Sequence, residues 1–353
     1  MIKTITVNAS KKYDILIGAD ILEESGSFIR KTTGGQTAVV VTDDSVAALY
    51  GKRLTETLES SGYRAVQFVF PHGESSKNAN TFLSVLNFCA EEKLSRTDLI
   101  IALGGGVTGD IAGFAAACYM RGINFVQLPT TLLAMVDSSV GGKTAINLTA
   151  GKNLAGAFFQ PSLVICDVSL LSTLSPEVYR DGCAEIIKYG VLADRVLFKS
   201  LKKPVNEQYE SVIARCVDIK RGIVAEDEFE QGSRKLLNFG HTIGHAIELL
   251  SCYTVSHGHA VAAGMAVVTR AAVRMNICGL CCLREIIQTL RQYNLPENTP
   301  FSAADLARAC LSDKKRDGKS ITMVFPKEIG GCVLKDIPVG ELEAVIRMGI
   351  EDL

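Results

Sequence analysis

The chain has five histidines, and four of them fall between Asn238 and Gly264 in the run NFGHTIGHAIELLSCYTVSHGHAVAAG. These are His241, His245, His257 and His259. His241 and His245 are four residues apart, so on a helix they share one face. Neutral imidazole is the commonest protein ligand for a transition metal, and a metal site needs several donors converging on one point. The same four side chains could instead move protons, or simply cap and fill helices. An acid is available in Asp181-Gly182-Cys183-Ala184-Glu185-Ile186-Ile187-Lys188, where Glu185 and Lys188 share a side of a helix amid small and apolar neighbours. Glu185 is the best carboxylate to join two histidines. Two His and one Glu leave a position open on zinc, the mark of a catalytic site. A plain surface ion pair is the alternative. Before His241 come Lys220, Glu230, Arg234 and Asn238. If one helix begins early enough, Arg234, Asn238 and His241 lie together on it, and a guanidinium and an amide beside a metal suit a carboxylate or phosphate.

A second constellation sits in the first half. The apolar run 98–103 enters Gly104-Gly105-Gly106-Val107-Thr108-Gly109-Asp110, in which Gly104, Gly106 and Gly109 have GxGxxG spacing, with a helix expected at Ile111. Glycines let the backbone close on a pyrophosphate, and a helix N-terminus favours its charge. A tight turn would need the same residues. No acid ends a strand some twenty residues later, where Leu128-Pro129 stand; the candidate ribose acid lies earlier, in Asp43-Asp44. Glu74 and Lys77 could meet ribose hydroxyls or pair with each other. The stretch Pro129–Thr144 ends like a phosphate-binding P-loop, but GxxxxGKT needs glycine where Asp137 stands, which excludes triphosphate hydrolysis of that type. What remains is a Ser/Gly-rich loop carrying Asp137 and Lys143, followed by Lys152 and Asn153. Such a set suggests an anionic substrate.

The elements that must position these groups follow from hydrophobic period. Residues 37–42, 64–70, 98–103, 124–128 and 163–167 are short β-branched runs separated by amphipathic stretches, and the N-terminal residues read as a first strand. This alternation predicts an α/β domain with a mostly parallel sheet, whose ligands bind beyond the carboxyl ends of its strands. Past Pro176 helical period dominates 176–193, 206–222, 238–251, 259–276 and 283–293, with a small hairpin at 320–325 and 331–335. The expected division is a dinucleotide-binding α/β domain over 1–173 and a mainly helical metal- and substrate-binding domain over 174–353.

Composition sets limits. Two domains fit 353 residues, and 47% hydrophobic with 21% charged residues fits a globular enzyme. A net charge of −1 offers no basic field for nucleic acid, and no run approaches a membrane span. Eleven cysteines, without framework spacing, point to reduced thiols and a cytoplasmic setting. The Cys278, Cys281, Cys282 group has no second pair at zinc-ribbon spacing and reads as buried small residues on a helix.

Taken together, GESSK, ALGGGVTGD, MRGINFVQLPTTLLAMVDSSVGGKTAIN, GKNLAGAFFQP, CAEIIKYG, RKLLNFGHTIGHAIE and HGHAVAAGM occur in an order and at spacings that resemble the 3-dehydroquinate synthase family, from about Asp43 to Asp317. The resemblance implies conversion of 3-deoxy-D-arabino-heptulosonate 7-phosphate to 3-dehydroquinate and phosphate. It implies an N-terminal NAD-binding domain, a C-terminal helical metal domain with the active site between them, bound NAD, one zinc or cobalt ion, and a homodimer. By matching motif, Glu185, His241 and His257 are the implied metal ligands and His245 the catalytic histidine. Implied NAD contacts are Asp43, Glu74, Lys77, Gly105, Gly106, Val107, Thr108, Gly109, Asp110, Thr130, Thr131, Asp137, Lys143, Lys152, Leu170 and Thr173. The implied substrate pocket is Asp137, Lys143, Lys152, Asn153, Lys188, Lys220, Arg234 and Asn238. Arg121 is implied to reach phosphate from the partner subunit, and Lys314 or Lys315 to close the phosphate site. Many relatives read HGE where this chain has His257-Gly258-His259, and the resemblance assigns His259 no role. Rival expectations are another sugar-phosphate cyclase, a metal-dependent polyol dehydrogenase, and a non-enzymatic metal- or nucleotide-binding regulator.

Overall fold

Apolar β-branched runs become strands buried on both faces. The computed structural model describes residues 1–313 and 319–351. It comprises two compact units, one of Met1–Leu174 with Lys220–Phe229, the other of Ser175–Ile219 with Glu230–Leu353. The segment Lys220–Phe229, placed by sequence in the helical half, groups with the first unit because its polar groups bond there. Glu228 accepts from Ser10 and Gln160, and Lys220 donates to Asp137.

The first unit contains β1 (Lys3–Val7), β2 (Tyr13–Gly18), β3 (Thr37–Asp43), β4 (Arg64–Phe70), β5 (Leu99–Gly104), β6 (Asn124–Pro129), β7 (Lys143–Leu148), β8 (Gly151–Phe158) and β9 (Leu163–Asp167). Seven of these form one sheet in the order β1-β2-β9-β6-β5-β3-β4. Only the β1–β2 pair is antiparallel. Alternate residues of single strands enter two separate cores: Val40, Leu99, Ile101 and Leu103 on one face, Val39, Val41, Ile100 and Ala102 on the other. From β3 the chain goes out to β4 and returns to β5 on the other side of β3, so the winding reverses between β3 and β5. Thr42 pairs with Leu103, which sets Asp43 and Gly104 side by side at the carboxyl ends. That reversal is where doubly wound sheets bind ligands.

Two parts of this unit differ from expectation. β2 is a parallel neighbour of β9, and the expected Ser/Gly-rich loop continues into the antiparallel hairpin β7–β8. Gly141 and Gly142 turn into the hairpin with φ of 92° and 67°, a region glycine enters without strain.

In the second unit Ser175 caps the helix Pro176–Ala193, and Pro176 occupies its first turn, where a missing N–H costs nothing. The helix His257–Arg274 forms the centre, with Gly258 and every residue from Ala260 to Ala272 buried. Its small residues let it press against the helix His241–Leu250. A Cβ on Gly264 would stand 2.1 Å from the carbonyl oxygen of Gly240. The hairpin β10 (Ser320–Glu328) and β11 (Gly331–Pro338) lies where the sequence places it, and the helices Ala303–Asp313 and Leu342–Ile350 had no sequence expectation. No helix among the described residues is long and apolar enough to cross a membrane.

Candidate functional site

Three helices bring one side chain each to a common point in the second unit. Glu185 lies mid-way along Pro176–Ala193, while His241 and His257 each open a helix, His241–Leu250 and His257–Arg274. The Glu185 Oε1 atom is 3.6 Å from His241 Nε2 and 3.3 Å from His257 Nε2. Its Oε2 atom pairs with Lys188, which is as deeply buried as Glu185 itself. His241 Nδ1 donates to the Phe239 carbonyl at 3.1 Å, and His257 Nδ1 faces Glu248 Oε2 at 3.4 Å. With those protons on Nδ1, both Nε2 lone pairs aim at one carboxylate oxygen. Only positive charge reconciles three such acceptors. Donors about 2.0–2.1 Å from a tetrahedral zinc stand roughly 3.3 Å apart, so the set fits a divalent metal.

The electrostatics agree. Burial, then the charge of Lys188, pushes His241 well below the usual histidine range, which keeps it neutral. Burial also opposes charge on His257, but the carboxylates of Glu185 and Glu248 outweigh it and lift His257 to about 10. The carboxylates around His257 thus favour positive charge at the cluster, in addition to Lys188.

His245 belongs to the same cluster, its ring 5.6 Å from that of His241 and 6.1 Å from that of His257. His245, Glu248 and His257 form a second set of converging donor atoms. His259 lies outside both sets and faces Asp181 and Ser256.

The expected shared face of Arg234, Asn238 and His241 does not form. Ser233–Asn238 is a 3-10 turn, and a new helix starts at His241. Gly240 between them has φ 80°, and a Cβ there would stand 2.7 Å from the Val261 carbonyl oxygen. Arg234 is buried, and Asn238 donates to Glu230 at 2.8 Å.

In the first unit the glycine loop starts its helix at Gly106, five residues before the expected Ile111. Gly105 caps it without a side-chain bond, so the first-turn amides of Gly106, Val107 and Thr108 face outward for an anion. The hydroxyls of Thr108 and Thr130 are buried and have no hydrogen-bond partner among the described residues. A bare glycine edge with two unanswered hydroxyls fits a pyrophosphate-bearing cofactor. Asp43, at the end of β3, caps the next turn through Val46 N at 3.0 Å, whereas Asp44 is held by His72 at 2.7 Å. Asp43 is therefore the acid beside the glycine loop.

Beside Gly109, Lys77 pairs with Asp110 and donates to Asn153 Oδ1 at 2.6 Å. Burial raises Asp110 above the ordinary carboxylate range, with Lys77 opposing. Glu74 accepts from Asn147 Nδ2 at 2.8 Å and has Lys152 at 3.5 Å. Asn147 Oδ1 in turn accepts from Asn153 N at 3.0 Å. Asn147 thus ties the Glu74 turn to the β7–β8 hairpin; its place at the end of KTAIN gave no chemical signal. Tyr50 was also missed: its hydroxyl is 2.7 Å from Thr173 Oγ1 and donates to the Leu170 carbonyl, which holds the turn Val168–Thr173.

Thr131 caps its own turn through Ala134 N. Asp137 Oδ1 meets Lys220 Nζ at 2.9 Å. Lys143 opens β7, and Lys152 and Asn153 lie on β8. Arg121 is exposed on left-handed backbone, φ 67°. Lys314 and Lys315 lie outside the described residues.

Two family models match adjoining stretches of the chain: 3-dehydroquinate synthase N-terminal over residues 67–181 and 3-dehydroquinate synthase C-terminal over 182–316. The chain belongs to the 3-dehydroquinate synthase family. It is 42% identical to the 3-dehydroquinate synthase of Streptococcus sanguinis (strain SK36), covering 95% of this chain and 97% of the relative. Identity to that of Enterococcus faecalis (strain ATCC 47077 / OG1RF) is 40%, over 98% of each. Among solved structures, 2-deoxy-scyllo-inosose synthase complexed with carbaglucose-6-phosphate, NAD+ and Co2+ superposes with TM-score 0.89 at 27% identity, over 98% of this chain and 100% of that one. The 2-epi-5-epi-valiolone synthase ValA from Streptomyces hygroscopicus subsp. jinggangensis 5008, with NAD+ and Zn2+ bound, gives 0.86 at 28%, over 97% and 98%. An iron-containing alcohol dehydrogenase, at 15% identity and TM-score 0.69, shares the fold. Members of the 3-dehydroquinate synthase family thus span this chain almost entirely, and its fold is the Rossmann-like sheet plus helical unit of these cyclases.

Proposed function

We propose that this chain converts 3-deoxy-D-arabino-heptulosonate 7-phosphate to 3-dehydroquinate and phosphate, in the supply of aromatic amino acids, using NAD and one zinc or cobalt ion. The observation that carries this reading is the convergence of His241 Nε2 and His257 Nε2 on Glu185 Oε1, in a chain about 40% identical to 3-dehydroquinate synthases along its length. Glu185, His241 and His257 would hold the metal. Asp43, the Gly105–Asp110 loop, Glu74, Lys77, Thr130, Thr131 and the Leu170–Thr173 turn would hold NAD. The first unit is then the cofactor domain and the second the metal domain.

Held by these residues, NAD would supply hydride acceptance and return, and the metal would supply Lewis acidity. Oxidation at carbon 5 makes the carbon 6 proton acidic, so phosphate can leave carbon 7 by elimination; because the hydride returns, no net redox change results. The chain's own residues bind, orient and move protons. His245, within the imidazole cluster, would carry protons. In the first unit Lys143, Lys152, Asn153, Lys220 and Asp137 supply cations and polar groups for the phosphorylated substrate. In the second, Lys188, Arg234 and Asn238 do so, Lys188 lying in a buried pair with Glu185. Fixed charges of this kind orient a substrate as well as attract it. The working form would be a homodimer in which the exposed Arg121 reaches phosphate at the partner's site. Eleven cysteines without a disulfide support a cytoplasmic home.

The second reading, another sugar-phosphate cyclase, is favoured by the close superposition on 2-deoxy-scyllo-inosose synthase. A phosphate-release assay with and without chelator and NAD separates them. Release from the heptulosonate phosphate, abolished by chelator, supports the proposal. Release only from glucose 6-phosphate or sedoheptulose 7-phosphate overturns it, and lasting NADH would indicate a dehydrogenase.

A further inference from the structure

We propose that Asp181, with Ser256 and His259, forms the joint that sets the separation of Glu185 and His257 and thereby the affinity of the site for its metal. This rests on the reading of Glu185, His241 and His257 as ligands. Asp181 stands one helical turn before Glu185 in Pro176–Ala193, so the two carboxylates project from one side of that helix. Ser256 is the N-cap of His257–Arg274, with His257 first and His259 third inside it.

One oxygen, Asp181 Oδ1, receives three hydrogen bonds from this helix start. Ser256 Oγ donates at 2.6 Å, His259 Nδ1 at 2.8 Å and the His259 backbone N–H at 3.1 Å. Ser256 Oγ is also 2.8 Å from His259 Nδ1, so the imidazole proton is shared between the two oxygens. In a capping box, Ser at the cap pairs with Glu three residues on, and the acid comes from the helix itself. Here His259 occupies that third position, Ser256 makes no side-chain bond to its own helix amides, and the acid comes from the neighbouring helix.

The backbones meet at the same place. A Cβ on Gly258 would lie 2.3 Å from Asp181 Cα and 2.5 Å from its carbonyl oxygen. The two ligand-bearing helices are therefore pinned four residues from Glu185 and next to His257. Asp181 is a positioning residue: it touches no donor of the site but fixes the span between two of them, and metal sites lose affinity when such supports are removed.

The test measures zinc affinity by competition with a chromogenic chelator, and the visible absorption of the cobalt-loaded protein, in wild type and in D181A, S256A, H259E and the double variant D181N/H259E. Thermal unfolding of each metal-free protein is followed alongside. D181A is expected to weaken zinc binding about 10- to 100-fold and to alter the cobalt spectrum. H259E, which sets a second carboxylate against Asp181, is expected to weaken binding as well, and adding D181N to return most of it. Wild-type affinity and spectrum in both D181A and H259E overturn the joint, even if the metal-free variants melt earlier. E185Q separates the two ideas. If E185Q loses metal and D181A does not, only the joint fails; if wild type binds no stoichiometric metal, the ligand reading fails and the joint with it.

Discussion

His257 Nε2 stands 3.3 Å from Glu185 Oε1, a distance that suits two ligands of one metal better than a hydrogen bond. Glu185→Gln keeps the shape and removes the charge. Metal analysis of the purified variant should find the ion lost. Phosphate release should fall by about 100-fold or more, since loss of a ligand exceeds the usual cost of losing a supporting group. Full metal content in the variant would contradict this.

Gly264→Ala tests the helix crossing that positions His241. Its Cβ would collide with the Gly240 carbonyl at 2.1 Å, on rigid backbone. A loss of about 3 kcal/mol in chemical unfolding is expected, together with weaker metal binding. Unchanged stability would mean the two helices separate at little cost.

Asn147→Ala removes the side chain that joins Glu74 to Asn153 on β8. With Glu74 no longer oriented, NAD affinity in a fluorescence titration should drop about 30-fold, two hydrogen bonds being worth about 1 kcal/mol each. The zinc content should not change, and a variant that lost metal instead would refute this division.

Asp98 gives the chain a defined acid limb. It is buried and accepts from the backbone amides of Gln36, Thr37 and Ser95 and from the Ser95 hydroxyl. Burial alone would raise its pKa, but these donors together lower it below 3.8. An acid depressed in the folded state stabilises above its unfolded value and loses that stability as pH falls through the folded one. Asp98→Asn should therefore cost about 2 kcal/mol in urea unfolding at pH 7. The gap to wild type should shrink below pH 3.8. A gap that widened on acidification would reverse the sign and refute the assignment.

Legibility in the sequence tracked local signals. Leu163–Asp167 and Pro176–Ala193 stand where the sequence places them, the first through an unbroken apolar run, the second through its Ser-Pro start. The hairpin β7–β8 was hidden because its residues alternate between half-buried and exposed, so no apolar period marks β8. The break at Gly240 was hidden for another reason: a glycine within a helical period costs only about 1 kcal/mol and does not by itself mark a break, and only the backbone of the next helix shows why the chain turns there. Candidate residues of charged or imidazole type stand out in the sequence by their chemistry. Asn147 and Tyr50 were not, since each acts by holding a turn, a role that only the folded chain reveals.

The pairing of β2 with β9 has a consequence for biosynthesis. Residues Asp14–Gly18 find their parallel partner only in Leu163–Asp167. A ribosome adding about 5–20 residues per second needs roughly 7–30 s to make the intervening chain. For that interval one edge of the β1–β2 hairpin, with Ile15 and Ile17 bound for the core, is unpaired in the nascent protein. Slow codons or a stalled ribosome before Leu163 would lengthen the exposure, so expression yield should respond to translation speed in that stretch more than in the helical half.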